Sequence, residues 1–211
     1  MPALSNLLTV ALCAVFISCV ALTHTEGLWG NTIRLVNALT AALLATNFFQ
    51  PLAGWLEDLL PSYKYYWDFV ALWGLFAGFA WIFGTLTDRV SRVMLRFPQI
   101  VEQIGSWAVS ALIGWLMVAF TLTSLHTAPL GRNFLFGGFQ PEQRMFFGLA
   151  PDRKWLSFVR HQSRGPLCSS AVRKQGHRGI NVFDPQGLFI ATYAERRSEL
   201  DKPPAAAIRE R

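Results

Sequence analysis

The sequence predicts an all-α membrane protein, a four-helix transmembrane bundle with a small basic C-terminal extension that holds a short helix and a possible β-hairpin. Two observations carry that expectation. Four runs of about twenty residues contain no Asp, Glu, Lys or Arg, the length a helix needs to cross a hydrocarbon core about 30 Å thick. Charge is also distributed unevenly: up to Leu125 there are five basic and six acidic residues, and from His126 onward fourteen basic and seven acidic. With 52% apolar and 15% charged residues and a mean hydropathy of +0.31, a soluble domain is disfavoured, and the net charge of +6 belongs to residues 126–211.

The runs follow in order. Leu4 to Leu22 is apolar throughout. No Lys or Arg precedes Arg34, and Phe16, Ile17 and Ser18 before Cys19 make a poor lipid-attachment site, so this run reads as a retained helix. Leu35 to Leu56 lies between Arg34 and Glu57 and is the most polar, with Asn37, Thr40, Thr46, Asn47 and Gln50. Pro51 is expected to end or kink it and to leave Pro51 to Trp55 at the interface. Phe69 to Thr87 lies between Asp68 and Asp88, and Gln103 to Leu125 between Glu102 and His126. Trp29, Trp55, Tyr63, Tyr65, Tyr66 and Trp67 cluster near run ends, where amphipathic rings anchor at headgroups.

Positive charge in short loops sets orientation. Arg89, Arg92 and Arg96 follow the third run and Arg34 closes the first loop, so loops one and three are expected in the cytoplasm, with the N-terminus, the second loop and the tail outside it. Membrane helices pack where small residues let backbones approach, which makes Gly74 and Gly78 in the third run and Ser106, Ser110 and Gly114 in the fourth a candidate seam. Asn37 and Asn47 lie close to three turns apart and are candidate intramembrane contacts to neighbouring helices. None of the runs holds an ionisable residue in its middle, which argues against a single-chain proton or ion relay.

In the tail, residues 127–150 are rich in Gly, Pro and Phe and suit an interfacial location. Asp152 is placed to cap a short basic amphipathic helix through Arg160 that either lies on the bilayer or belongs to a soluble subdomain. Asn181 to Glu195 alternates apolar and polar residues about Asp184-Pro-Gln-Gly187, the pattern of a β-hairpin. Ser163 to Arg178 reads as loop and Asp201 to Arg211 as a disordered end. A tethered basic tail makes anionic lipid the expected partner and nucleic acid an unexpected one. No nucleophile elbow, zinc-protease helix, phosphate loop or dinucleotide fingerprint is present, and Cys168 with His161 and His177 forms no recognisable ligand or catalytic set. The chain is therefore expected to be non-enzymatic and to need no cofactor or metal.

Four segments carry a resemblance: Gly27-Leu-Trp-Gly-Asn-Thr-Ile-Arg34 after the first helix, Asn47-Phe-Phe-Gln-Pro-Leu-Ala-Gly54 closing the second, and Asp88-Arg-Val-Ser-Arg92 followed by Ile104 to Gly114 opening the fourth. In order and spacing over Leu4 to Leu125 the chain resembles the bacterial colicin V production protein (CvpA) family, although Asn31 and Thr32 stand in a turn that is usually more basic there. The resemblance implies an inner-membrane protein that assists toxin production or export and envelope maintenance through an unidentified membrane or envelope protein. An oligomeric transporter or channel component, built from copies of this chain, is the alternative.

Overall fold

The computed structural model describes residues 7–90, 97–130, 139, 143–163 and 183–200, which are helical apart from short turns and contain no strand. Helices α1 (Leu7–Thr23), α2 (Gly27–Leu59), α3 (Lys64–Val90) and α4 (Gln99–Thr127) are long, and α5 (Pro151–Gln162) and α6 (Phe189–Leu200) are short. Three stretches are long and apolar enough to cross a membrane, Leu7–Leu59, Tyr65–Val90 and Gln99–Thr127, and the first comprises both α1 and α2.

The break inside that first stretch follows from backbone chemistry. The Thr23 hydroxyl donates to the Cys19 carbonyl, a one-turn 3-10 helix spans His24–Glu26, and Gly27 then takes φ +82°, a left-handed conformation that costs L side chains energy. A Cβ at Gly27 would also come within 2.5 Å of a Glu102 carboxylate oxygen. That carboxylate accepts the Leu28 N–H at 2.8 Å, so a side chain from α4 caps the N-terminus of α2 and places negative charge at the positive end of its dipole.

The chain reverses at this turn. The His24 carbonyl accepts from Ser106 near the start of α4, Gly114 lies under Phe16, and Leu8 and Leu12 share an apolar cluster with Val118 and Leu122, so α1 runs antiparallel to α4. Asn31 also meets Ser106 and Ser110, while Phe49 packs in one core with Phe120, so α2 runs parallel to α4. Helix α3 returns beside α2: Asn37 and Thr87 bond near one end, and Glu57 and Asp68 meet Arg196 at the other. The C-terminal half of α4 is surrounded, with Val118, Phe120, Leu122 and His126 out of water.

Helix α2 does not stop at Pro51. It runs 33 residues to Leu59, roughly 50 Å at about 1.5 Å per residue. Pro51 removes a single backbone bond, and Thr46 and Asn47 turn their side chains back to the Ala42 and Leu43 carbonyls of the same helix. Near Pro51 the helix therefore supplies the acceptors for these two donors from its own backbone.

The extension shares the bundle's core. Trp155, Leu156 and Val159 of α5 and Phe189 and Tyr193 of α6 pack with Phe49, Ala53, Leu72 and Phe120. Asp152 is not the cap of α5: Pro151 occupies its first turn, Ala150 precedes it at φ +46°, and the Asp152 side chain turns inward. The expected hairpin is also absent. Asp184 to Gly187 is a turn as expected, with the Gly187 N–H on the Asp184 carbonyl, but a helix follows it. Asp184 Oδ1 accepts the N–H groups of Leu188 and Phe189 and so caps α6, whose Phe189 and Tyr193 then fall four apart on one buried face. The loop expected through Arg178 and the disordered end expected from Asp201 lie outside the described residues, apart from Ser163, which caps the C-terminus of α5.

Candidate functional site

Two polar regions occupy opposite ends of the bundle. At the end holding the α1–α2 turn, the Asn31 amide donates to the hydroxyls of Ser106 and Ser110 at 2.9 and 3.1 Å, and Ser106 donates to the His24 carbonyl at 2.6 Å. Asn31 and Ser110 are wholly buried, and the Asn31 carbonyl oxygen and the second Glu102 oxygen have no hydrogen-bond partner. Beside this network a cleft of about 580 Å³ opens among α2, α3 and α4, with Glu26, Arg34, Asn37, Thr87, Asp88 and Glu102 among its lining groups. Arg34 is held by Glu26, so carboxylates outnumber the cation on this lining.

At the other end, His126 and Asp152 form a pair with side chains 0% and 1% exposed, Nε2 to Oδ2 being 2.9 Å. With the proton on Nε2 the ring donates to the carboxylate, and the pair ties the last turn of α4 to the first turn of α5. The Trp155 indole N–H donates to Thr46 of α2 at 3.3 Å and that of Trp73 to Ser124 of α4 at 3.0 Å. Arg196 of α6 bridges Glu57 and Asp68, which joins the α2–α3 connection to the extension. Burial, reinforced by the Asp68 carboxylate, pushes the Tyr193 phenol well above its ordinary range. Burial lowers the Arg197 guanidinium, whose terminal nitrogens have no acceptor and which stands over the Phe139 ring.

The residues singled out from the sequence divide. Ser106, Ser110 and Gly114 do lie in packed seams, but their partners are Asn31 of α2 and Phe16 of α1. Gly74 and Gly78 do not join them: a side chain built at either would meet nothing within 4 Å, so that small face of α3 points outward. Asn37 bonds across to α3 as expected, whereas Asn47 donates to the Leu43 carbonyl of its own helix and its carbonyl oxygen stays unpaired. Arg34 and the exposed Arg89 sit at the end carrying the first and third connections; Arg92, Arg96, Cys168 and His177 lie outside the described residues, and His161 is exposed on α5. The Asn31 node and the His126–Asp152 pair were not singled out, because each needs partners 26 or more residues away. Among the described residues no group of three His, Cys, Asp or Glu is placed to hold a metal. No family model, curated protein or solved structure matches this chain.

Proposed function

We propose that the chain crosses the bilayer four times, with α1 and α2 as separate spans, and acts without catalysis as a membrane anchor and interaction surface for a secretion or envelope process. The observation that carries this reading is the division of polar and apolar groups on the long helices. Their buried polar side chains bond one another or the helix backbone, as in the Asn31–Ser106–Ser110 node, while Val10, Ile17, Val70, Ile82, Ile100 and Ile104 face outward. A 53-residue stretch drawn as one straight helix would reach about 80 Å, far beyond a bilayer core of about 30 Å, and the reversal at Gly27 supports two spans. Loop charge favours a cytoplasmic end at Arg34 and Arg89 and an extracytoplasmic end at α5 and α6. The link to colicin-type toxin export and to the bacterial inner membrane rests on the resemblance of residues 27–34, 47–54, 88–92 and 104–114.

The cleft among α2, α3 and α4 favours a second reading, transport of a small solute by an assembly of copies. Reconstituted vesicles separate the two. An anchor gives no solute flux above empty vesicles and no response to Asn37→Leu; flux that disappears in Asn37→Leu would replace the anchor reading with transport. In cells lacking the chain, the anchor reading also predicts that toxin release returns with the full chain and not with residues 1–125 alone.

A further inference from the structure

Hydrogen bonding beside the α1–α2 turn is short of donors. Ser106 gives its proton to the His24 carbonyl at 2.6 Å, so toward Asn31 it can only accept. That fixes the Asn31 amide with its nitrogen on Ser106 and Ser110 and excludes the flipped amide, which would set two oxygens against each other. Asn31 is 0% exposed, and its amide oxygen has no donor. Glu102 spends one carboxylate oxygen on the Leu28 N–H at 2.8 Å, and its second oxygen, also out of water, has no donor either. Two buried acceptors without donors are costly to the fold, and a buried ion or water is the usual reason that such a pair persists.

Both oxygens belong to the seam between α2 and α4. These helices run parallel. Leu28 and Asn31 are three residues apart on α2, and their partners Glu102 and Ser106 are four apart on α4, so the two orphaned groups are anchored about one turn, roughly 5 Å, from each other. One oxygen-liganded ion with bonds of about 2.3–2.6 Å spans such a gap, and carboxylate and amide oxygens are the ligands that hard cations take. Charge selects among them. The N-terminus of α2 supplies only about half an elementary charge, and Arg34 is held by Glu26, so one carboxylate calls for one further positive charge. A divalent ion would leave an excess charge in a buried seam. Gly30 and Glu102 also line the cleft among α2, α3 and α4, which gives an ion and its remaining waters a way in.

We propose that the α2–α4 seam holds a small monovalent cation of sodium's class, liganded by Asn31 Oδ1 and Glu102 Oε2. It joins the turn after α1, the first turn of α2 and the first turn of α4 at a single point. The site goes beyond the anchor reading and does not depend on it, since a cation at this position would brace an anchor or a transporter alike.

The test measures the thermal unfolding midpoint of the purified full chain in nonionic detergent, in sodium chloride and in choline chloride at equal ionic strength. Sodium is expected to raise the midpoint in a saturating manner, and choline, too large for the seam, to leave it unchanged. Glu102→Gln keeps an oxygen for the Leu28 N–H and brings an amide N–H to the Asn31 oxygen in place of the ion. It should therefore fold without sodium and weaken the sodium response at least roughly 10-fold. Asn31→Asp adds a second anionic oxygen and should make the midpoint more dependent on sodium than in the parent chain. Asp88→Asn, on the cleft lining and away from the seam, should keep the parent response. Equal midpoints in sodium and choline would mean that water fills the seam and would overturn the proposal. An undiminished sodium response in Glu102→Gln, or its loss in Asp88→Asn, would place the ion elsewhere and overturn it as well.

Discussion

At the scale of single residues, the interior is organised by a few polar groups whose partners are far away in sequence. His126 and Asp152 are both out of water, so the pair's worth depends on keeping both members. His126→Leu leaves a buried carboxylate without its donor and should destabilise the protein by roughly 3–5 kcal/mol, whereas adding Asp152→Leu should restore most of that loss. Denaturant unfolding in detergent of the two single variants and the double variant measures the difference. Glycines make a second contrast. A Cβ at Gly114 would lie 3.2 Å from the Phe16 carbonyl oxygen and closer still to its ring, while one at Gly78 would meet nothing. Gly114→Leu should therefore cost about 1–3 kcal/mol or more by overpacking, and Gly78→Leu should leave the monomer's unfolding midpoint unchanged. A loss of stability only in Gly78→Leu would restore the α3–α4 seam that the sequence pattern favours.

Elements show where sequence pattern reaches and where it stops. The long helices were legible because a charge-free run of membrane length needs no partner to be recognised, and Arg34, Glu57, Asp68, Asp88 and Glu102 mark its limits. The seams were not. Small residues four apart occur on both α3 and α4, and the deciding fact is Asn31, which places Ser106 and Ser110 against α2. The tail failed for a related reason: the alternation in residues 188–195 is short enough to fit either period, and the Asp184 cap with the Phe49 and Phe183 surfaces selects helix. Asp184→Ala removes that cap and should cost about 1 kcal/mol, seen as faster amide hydrogen exchange in the first turn of α6 and not in α4. Trp155 fills the space between Thr46 and Phe120, so Trp155→Ala should cost roughly 3–5 kcal/mol and expose α5 to limited proteolysis.

The whole molecule is a helical bundle with one polar end held by the α1–α2 turn and the other closed by the extension. Closure has a pH signature. The Tyr193 phenol in the fold titrates well above its ordinary value, chiefly through burial, and in the unfolded chain it titrates near that value of about 10. The neutral phenol therefore favours the folded state: its contribution is intact below pH about 10 and is lost as pH rises beyond it. Thermal midpoints measured upward from neutral pH should fall in that alkaline window, and the fall should be smaller in Tyr193→Phe. The same closure makes the count of spans decide the biology, because α5 and α6 stand on whichever side α4 ends.

That count is tested most directly by the two ends of the chain. In a background of Cys13→Ser and Cys19→Ser, the native Cys168 and a cysteine introduced as Ser5→Cys in a chain with Cys168→Ser are each exposed to a membrane-impermeant maleimide, before and after lysis of spheroplasts. Four spans predict that both react on the same side, before lysis for the orientation proposed here. Reaction of one before lysis and of the other only after it would mean an odd number of spans and would contradict the reversal at Gly27 as a turn between two membrane crossings.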